Sequence, residues 1–334
     1  MVLDKVFGVE KKEMEEEKIY PARYPVDLHS HSTRSDGSDS PQELIEHADK
    51  AGVRILGLTD HDIRPPQTIT LSTGEEADIV EYAATKGVTL IRGIEISCET
   101  TAEDCHIVCF GCNWEDSFFE WLEEFVSQSR ISSYKELVKR LSADGMTITW
   151  DAVLDNGGTP VEEARVQKKM IFELLARRGF AKDWAQAKLM VKNTSKYQIL
   201  REKPDPAEVI KEVHRTGGIA IMAHPYLVCE PVCVSDGTMS RFEYIDRLIR
   251  GGLDGIEVSY PYDKTSYGGV LTPEEIEAQV RERYSDSIQI LSGGSDYHAD
   301  WKKGVRNSRK LGERGLMMEN LCNQEALMGL CQEK

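Results

Sequence analysis

The amino-acid sequence predicts an α/β protein whose strands close into a barrel, with a helical unit inserted between two of the strands. Three observations support this class. Short apolar runs alternate with amphipathic segments from about residue 26 onward, and seven of these runs have the length of a strand. The alternation stops between about residues 116 and 205, where the segments are nearly all helical in character. Seven or so parallel strands favour a closed barrel over an open sheet.

The first part of the chain supplies four strands and two helices. YPVDLHSH is predicted as a strand, PQELIEHADKAG as a helix that ends at Gly52, and VRILGLTDHD as the second strand. ADIVEYAATKG predicts a helix, VTLIRGIEIS a third strand and CHIVCFGC a fourth. Residues 1–24 contain the charge run VEKKEMEEEK, and we expect them to form a charged N-terminal extension.

The middle of the chain predicts the insertion. FFEWLEEFVSQ, SSYKELVKRLSADG and VQKKMIFELLARRG are helical in character, with a Gly-rich break at 155–158. After this region GGIAIMAHP, LDGIEVSYP and IQILSGGSDYH predict three more strands, each preceded by a helical segment. We therefore expect residues 25–144 and 206–334 to form the barrel domain, and residues 145–205 to form a helical insertion that caps it.

Composition limits the functional classes. The chain has 334 residues, of which 40% are hydrophobic and 29% charged, as expected for a globular protein and not for a disordered or fibrous one. Its formal net charge of -16 and lack of a long basic stripe argue against tight binding to duplex nucleic acid. It shows no apolar signal core and no run long enough to span a bilayer, so we expect a cytoplasmic protein without a membrane partner. Composition does not indicate an oligomeric state.

Polar residues mark the ends of the predicted strands. Six of the eight histidines lie there, with acidic residues interleaved. The complete set is His29, His31, Asp36, His61, Glu95, His106, His224, Asp296 and His298. The carboxyl ends of parallel barrel strands gather on one face, so residues distant in sequence should converge there. Any one histidine alone could satisfy a local hydrogen bond, but nine such positions favour a cluster that binds zinc, manganese or iron.

These motifs also resemble those of a known family. HSHSTRSDG, TDHD, GIEIS, the strand-flanking His106, AHP and GSDYH are similar, in the same order, to the motifs of the PHP (polymerase and histidinol phosphatase) family. The similarity extends from about Val26 to Asp300. The helical insert before GGIAIMAHP most resembles the stand-alone bacterial branch of metal-dependent phosphoesterases, which includes nucleotide 3',5'-bisphosphate phosphatases. The resemblance implies a distorted (β/α)7 TIM-like barrel with two or three divalent ions, which would be Mn, Zn or Fe.

The resemblance further implies how the ligands are shared and how the reaction proceeds. The implied ligands are His29, His31, Glu95 and Asp296 for one ion, Glu95 with His106 and His224 for a second, and Asp36, His61 and His298 for a third. A hydroxide that bridges two ions would attack phosphorus, so no serine or cysteine nucleophile is needed. One of the site histidines, Asp60 or Asp62 could donate a proton to the leaving group, and the sequence does not choose among them.

Substrate contacts are expected from the insertion. Relatives in this branch carry an arginine, proline, histidine stretch there that contacts phosphate. The matching stretch here is EARVQKKM, in which Arg165 keeps the arginine while Val166 and Gln167 replace the other two residues. Arginine suits bidentate phosphate binding, whereas glutamine carries no positive charge. We expect Arg165, Gln167 and Arg130 to bind substrate, although the replacements put the relatives' substrate preference in question.

The predicted function is therefore a metal-dependent phosphoesterase that acts on a small phosphorylated metabolite, such as a nucleotide or a related phosphomonoester. An amidohydrolase-like enzyme that cleaves C–N bonds is an alternative, since barrels with histidine-rich strand ends host both chemistries. A 5'-3' exonuclease on short oligonucleotides is another. Glu257 and Tyr260, in GLDGIEVSYPYDK, are predicted equally well as residues of the site mouth or as ordinary packing residues.

Overall fold

The computed structural model of the chain describes residues 20–99, 101–102, 104–234 and 237–331. The strands are β1 (Val26–Asp27), β2 (Ile55–Leu58), β3 (Thr68–Thr70), β4 (Glu76–Asp78), β5 (Thr89–Ser97), β6 (His106–Phe110), β7 (Ile219–Met222), β8 (Val232–Val234), β9 (Gly237–Met239), β10 (Gly255–Ser259) and β11 (Ile290–Gly293). The α-helices are α1 (Pro41–Ala51), α2 (Ile79–Thr85), α3 (Ser117–Ala143), α4 (Trp150–Asp155), α5 (Lys168–Arg177), α6 (Trp184–Lys192), α7 (Pro206–Arg215), α8 (Arg241–Arg250), α9 (Pro273–Tyr284), α10 (Met318–Cys322) and α11 (Glu325–Leu330).

Seven strands form one nearly closed sheet in the order β1-β2-β5-β6-β7-β10-β11, which confirms the predicted α/β barrel. Neighbouring strands are parallel except at β6, which runs antiparallel to both β5 and β7. The expectation of parallel strands throughout is therefore wrong for β6. Only residues 98–105 separate β5 from β6. A parallel crossover needs a dozen or more residues, so this short connection forces the two strands into an antiparallel pair.

The first helix shows why local sequence signals place the elements well. Ser40 and Glu43 form a capping box at the start of α1, and Gly52 ends it in the left-handed conformation with φ of 86°. Leu44, Ile45 and Ala48 lie on the buried face of the helix and pack in one cluster with residues of β2. The helix therefore begins, ends and faces the sheet as the sequence pattern predicts.

The barrel closes between its first and last strands. Leu28 N–H donates to the carbonyl of Gly293 at 3.1 Å, and His31 N–H donates to the carbonyl of Tyr297 at 2.8 Å. On the other side of β1, Leu316 N–H donates to Val26 O at 2.9 Å. These bonds bring the segment that carries the first two site histidines against the segment that follows β11.

A buried carboxylate strengthens this closure. Asp27 Oδ1 accepts a hydrogen bond from Ser295 N at 2.8 Å, and its Oδ2 accepts from Ser295 Oγ at 2.5 Å and from Gly312 N at 2.8 Å. Burial raises the pKa of Asp27 to about 6, although these donors act to lower it. The side chain of one β1 residue thus joins two segments that lie more than 260 positions away in the chain.

The insertion region has a hydrophobic cluster of its own. Its buried members extend from Leu137, in the second half of α3, to Tyr197. The first half of α3 belongs to the main core instead, through residues such as Phe119 and Leu122. The long helix α3 thus contributes to both clusters, and the boundaries 145–205 stay a prediction.

Two further predictions concern the ends of the chain and membranes. Residues 1–19 of the predicted N-terminal extension lie outside the described residues. Of the remainder, Ala22 N–H donates to Ala51 O, and the N–H groups of Arg23 and Tyr24 donate to Gly312 O.

Among the described helices, none combines the length and the apolar content that crossing a bilayer requires.

The close approach at the closure yields a first prediction. A Cβ added to Gly294 would lie 2.3 Å from the Cβ of His29 and 2.5 Å from its backbone nitrogen. Gly294→Ala should therefore push the two segments apart and lower the free energy of unfolding by about 1–3 kcal/mol. Gly268→Ala is the matched control, because its added Cβ would meet no heavy atom within 4 Å. Urea unfolding of both variants checks this, and equal midpoints would contradict it.

Candidate metal centre

The nine polar residues predicted at strand ends converge on one face of the barrel. His29 and His31 follow β1, His61 follows β2, and Asp36 lies in the loop before α1. His224 follows β7, while Asp296 and His298 follow β11. Glu95 lies near the end of β5. The antiparallel direction of β6 is essential, because it brings the first residue of that strand, His106, to the face where the other strands end.

The carboxylate of Glu95 lies at the centre of this cluster. Its Oε1 is 2.8 Å from His106 Nδ1 and 2.9 Å from His224 Nε2. Its Oε2 is 3.1 Å from Nε2 of both His29 and His31. The same oxygen is 3.3 Å from His61 Nδ1. Five imidazoles from four different strand ends therefore surround one buried carboxylate.

Asp296 forms a second focus beside the first. Its Oδ1 is 3.1 Å from His31 Nε2, 3.5 Å from His29 Nε2 and 3.4 Å from His298 Nδ1. The Nε2 atom of His298 in turn lies 3.0 Å from Asp36 Oδ1. The outer part of the cluster is more open, since the Asp36 side chain is 59% exposed whereas that of Asp296 is 9% exposed.

Three groups of ligand atoms lie close enough to hold an ion, with all atoms of a group within 4.8 Å of one another. The groups are His29, His31, Glu95 and Asp296; His61, Glu95 and His106; and His31, Asp36, His61 and His298. The first group has the composition that the family resemblance implies for one ion. The assignment of individual residues to individual ions stays a prediction.

Unpartnered nitrogen atoms show that the residues fit metal ions. Both ring nitrogens of His31, and Nδ1 of His61 and His224, are buried and make no hydrogen bond in the described structure, even though carboxylate oxygens lie 3.1 Å from His31 Nε2 and 3.3 Å from His61 Nδ1. Such atoms are costly in a folded protein unless something binds them. A divalent cation accepts the lone pair of an imidazole nitrogen and also neutralises the adjacent carboxylates.

The histidines and carboxylates of the cluster shift one another's pKa values. Burial alone would lower the pKa of His29 and His31, but the neighbouring carboxylates outweigh it and raise both, that of His31 to about 9. Burial lowers the pKa of His61 to about 4 against the opposing effect of Glu95. Burial would raise the pKa of the Glu95 and Asp296 carboxyls, yet the surrounding histidines, joined by Arg309 at Asp296, hold both pKa values well below their usual range.

Two residues hold the second oxygen of Asp296. Tyr260 donates its hydroxyl to Asp296 Oδ2 at 2.6 Å, and Arg309 pairs with the same oxygen and, at 3.1 Å, with Asp300. These contacts leave Oδ1 facing the histidines. Arg309 was missed by sequence reasoning, since it follows the last recognisable motif and belongs to no pattern. No sequence signal distinguishes it from the other basic residues that follow GSDYH, because its contact with Asp296 appears only in the folded chain.

Backbone conformation also distinguishes the site. Asp62, His224 and Asp296 have φ angles of 55°, 28° and 49°, which lie in the left-handed region. This conformation costs a residue other than glycine about 1–3 kcal/mol and persists where the surroundings fix it. It occurs here at two predicted ligands and at the residue next to a third, which is where a functional site would impose it.

The two aspartates that flank His61 have structural partners. Asp60 accepts hydrogen bonds from Ser32 N at 2.8 Å, from Ser32 Oγ at 2.7 Å and from Ser35 Oγ at 2.6 Å. Asp62 accepts from Ser97 and lies 3.3 Å from Arg201 Nη2. Asp60 and Asp62 thus connect the loops around the cluster by hydrogen bonds. Neither residue lines the cavity beside the cluster.

A cavity of about 240 Å³ opens beside the cluster. His61, His106, His224, Asp296 and His298 contribute to its wall, together with Asp104, Leu227, Tyr260, Lys264, Thr265, Ser266 and Arg309. Candidate metal ligands, two basic residues and two residues with aliphatic hydroxyls therefore line one small space. This combination suits a small anionic molecule.

The three predicted substrate-binding residues, of which Arg130 lies in α3 and the other two in the insertion, do not line this cavity. Arg130 donates to the carbonyl of Ala164 at 2.8 Å. Arg165 lies in a short 3-10 turn, with its side chain 79% exposed and 3.4 Å from Glu162. Gln167 caps the start of α5 without a side-chain hydrogen bond to that helix. Their role in substrate binding stays a prediction.

An α/β barrel with histidines and carboxylates gathered at the ends of its strands is the architecture of a metal-dependent hydrolase. The family model described as PHP domain matches residues 27–202, more than half of the chain, so the chain belongs to the PHP family. The predicted family and the predicted class, hydrolase of phosphate esters, are thereby confirmed.

Known proteins agree with this assignment. A 5'-3' exoribonuclease of Haemophilus influenzae is 31% identical over 202 residues, which are 60% of this chain and 68% of that protein. A 3',5'-nucleoside bisphosphate phosphatase of Chromobacterium violaceum is 25% identical over 210 residues, 60% of this chain and 66% of that protein. The structure of a candidate metal-dependent phosphoesterase from Bifidobacterium adolescentis has a TM-score of 0.62 and 28% identity, and the match covers 92% of this chain and 99% of that one.

Removal of metal gives a second prediction. A chelator should lower the melting temperature, because ions bound only by the folded cluster stabilise it, by about 2.7 kcal/mol at 100 times the dissociation constant. Differential scanning calorimetry with and without EDTA measures this shift. His31→Ala is the comparison, since it removes a member of two of the ligand groups and should reduce the shift. Equal melting temperatures of the unaltered protein in both conditions would contradict the metal site.

Proposed function

We propose that this chain is a metal-dependent phosphoesterase that hydrolyses a small phosphorylated metabolite, with a nucleotide or a related phosphomonoester as its substrate. The observation that carries the proposal is the contact of five imidazoles with the Glu95 carboxylate beside a cavity that Lys264 also lines. Family membership supports the reaction class, and the size and charge of the cavity support a small anionic substrate.

The proposal assigns two or three Mn, Zn or Fe ions to the cluster. The assigned ligands are His29, His31, Glu95 and Asp296 for one ion, Glu95, His106 and His224 for a second, and Asp36, His61 and His298 for a third. Bound divalent ions supply Lewis acidity toward phosphoryl oxygens and make water a nucleophile at neutral pH. The protein's own contribution is to hold the imidazole nitrogens and carboxylate oxygens in place around that chemistry.

We assign Lys264 to the phosphate group of the substrate. Its ammonium group donates to Ser308 O at 3.1 Å and pairs with Glu313, so it is held at the cavity wall by a single carboxylate. Arg309, the other cation of the wall, is engaged by two carboxylates and is less available. Thr265 and Ser266 add hydroxyl groups beside Lys264.

The volume of the cavity limits the substrate. About 240 Å³ lies below the usual range of roughly 300–1,000 Å³ for ligand pockets, which favours a compact molecule or the terminal group of a longer one. We propose that residues 145–205, with Arg130, Arg165 and Gln167, contact the part of the substrate outside the cavity. Duplex nucleic acid is not an expected substrate, given the net charge of -16.

A 5'-3' exonuclease activity on short oligonucleotides is the second candidate. The observation that favours it is the 31% identity to an exoribonuclease of Haemophilus influenzae. Both candidates use the same metal-binding residues and differ in the ester that is cleaved, because a phosphomonoester releases inorganic phosphate whereas a phosphodiester releases a nucleotide. Short oligoribonucleotides with a 5'-phosphate are therefore assayed for released nucleotides, beside the assay of phosphate from mononucleotides.

The third prediction tests the reaction. His31→Ala and Asp296→Asn should abolish phosphate release while the far-ultraviolet circular dichroism stays native, because each removes a ligand atom from the cluster. The assay measures phosphate released from sugar phosphates, histidinol phosphate, nucleotide monophosphates and nucleotide bisphosphates. Hydrolysis of amides is measured separately, because amides are the alternative substrate class. His214→Ala is the control, since this histidine pairs with Asp254 away from the cluster. Near-native turnover by the His31 variant would contradict the metal-site assignment.

The fourth prediction separates the cavity wall from the insertion. Lys264→Gln should raise KM about tenfold or more with a smaller change in kcat, because a charge-assisted hydrogen bond contributes about 1.5–3 kcal/mol. Arg165→Ala is predicted from the sequence to weaken substrate binding as well. Steady-state kinetics measures KM and kcat of each variant and so shows separately whether the cavity wall and the insertion contribute to substrate binding. An unchanged KM for Lys264→Gln would refute its assignment to phosphate.

A further inference from the structure

Glu257 is a buried carboxylate that the metal-ligand groups do not include. It lies in the middle of β10, and its side chain is 4% exposed. The strand places it between the segment after β1 and the segment after β7, each of which carries a predicted ligand. Burying a carboxylate costs free energy unless hydrogen bonds or opposite charges compensate it. The contacts of Glu257 therefore indicate its role.

The first contact is with His29. Glu257 Oε1 lies 3.2 Å from His29 Nδ1, on the side of the ring opposite to the atom that faces Glu95. An ionised carboxylate can only accept a hydrogen bond, so it selects the form of His29 that carries a proton on Nδ1. The Nε2 lone pair of that form points toward Glu95 and Asp296, as a metal ligand requires.

The second contact is with the backbone of His224. The N–H of His224 donates to Glu257 Oε2 at 2.8 Å. This residue has φ of 28° and ψ of 60°, a conformation that persists only where other contacts fix it. The same residue presents its Nε2 atom to Glu95 Oε1 at 2.9 Å. The bond from Glu257 therefore holds the backbone from which this imidazole reaches the cluster.

We propose that Glu257 is a positioning residue that couples two metal sites, because one carboxylate orients a ligand of each. His29 belongs to the group with His31, Glu95 and Asp296, and His224 contacts the other oxygen of Glu95. This inference rests on the metal centre of the proposed function. Loss of the carboxylate should weaken both sites together, by about 10–100-fold in metal affinity for a residue that orients ligands.

Glu257→Gln is the informative substitution. It keeps the size of the side chain but has one acceptor oxygen in place of two, so it can satisfy either His29 or His224 and not both. Asp254→Asn is the matched control, because Asp254 Oδ2 accepts from a ring nitrogen, His214 Nε2, and from a backbone amide, Ala220 N, both at 2.8 Å. The control changes the same type of contact away from the cluster.

The experiment titrates Mn²⁺ into metal-free protein by calorimetry and measures metal content by elemental analysis after dialysis at fixed free Mn²⁺. We expect Glu257→Gln to lose about 10–100-fold in affinity at two sites, while Asp254→Asn binds like the unaltered protein. Equal loading of Glu257→Gln and the unaltered protein, or an equal loss in both variants, would overturn the inference. Absence of Mn²⁺ binding by the unaltered protein would overturn the proposed function as well.

A measurement on the unaltered protein covers the case in which the variant does not fold. Nitrogen-15 spectra of the histidine rings in the Zn²⁺-loaded protein report which ring nitrogen of His29 carries a proton. A proton on Nδ1 is the expected result. A proton on Nε2 of His29 would overturn the inference, because a protonated ring nitrogen has no lone pair with which to bind an ion.

Discussion

The closure of the sheet between β1 and β11 is the constraint on which the rest of the structure depends. His29 and His31 lie near the start of the chain, while Asp296 and His298 lie near its end, and no contact between the first pair and the second exists unless these strands meet. Asp27, Ser295 and the backbone bonds beside them hold that closure. The packing is so close that the position after Gly293 has no room for a Cβ.

The cluster itself is built at an energetic cost to the fold. Five imidazoles surround one carboxylate, several of their nitrogen atoms make no hydrogen bond in the described structure, and three residues at the site have left-handed backbones. Features of this kind destabilise a protein that contains nothing to bind them. A divalent ion resolves most of them at once, since it binds the lone pairs and offsets the carboxylate charge. The stability of the fold and the occupancy of the site are therefore linked.

The site has two distinct kinds of surroundings. Glu257, Tyr260 and Arg309 hold ligands or their backbone in place with side chains that are largely buried, and Tyr260 and Arg309 also reach the cavity wall. The open side of the site includes the exposed Asp36 and the small cavity that Lys264 also lines. The buried side explains how ligands are held, and the open side explains how a substrate could approach. Membership of the PHP family identifies the class of reaction.

The sequence by itself determined the nine polar residues, the strand that precedes or contains each, and the family, because strand ends and helix caps are local patterns that a single segment carries. It did not determine the direction of β6, which depends on the short connection 98–105, although the lack of a helix there was a usable signal. Nor did it determine the roles of Glu257, Tyr260 and Arg309 or the lining of the cavity. Those depend on which way buried side chains point, and for Glu257 on a contact with His29 that lies 228 positions away, so only the closed barrel fixes them.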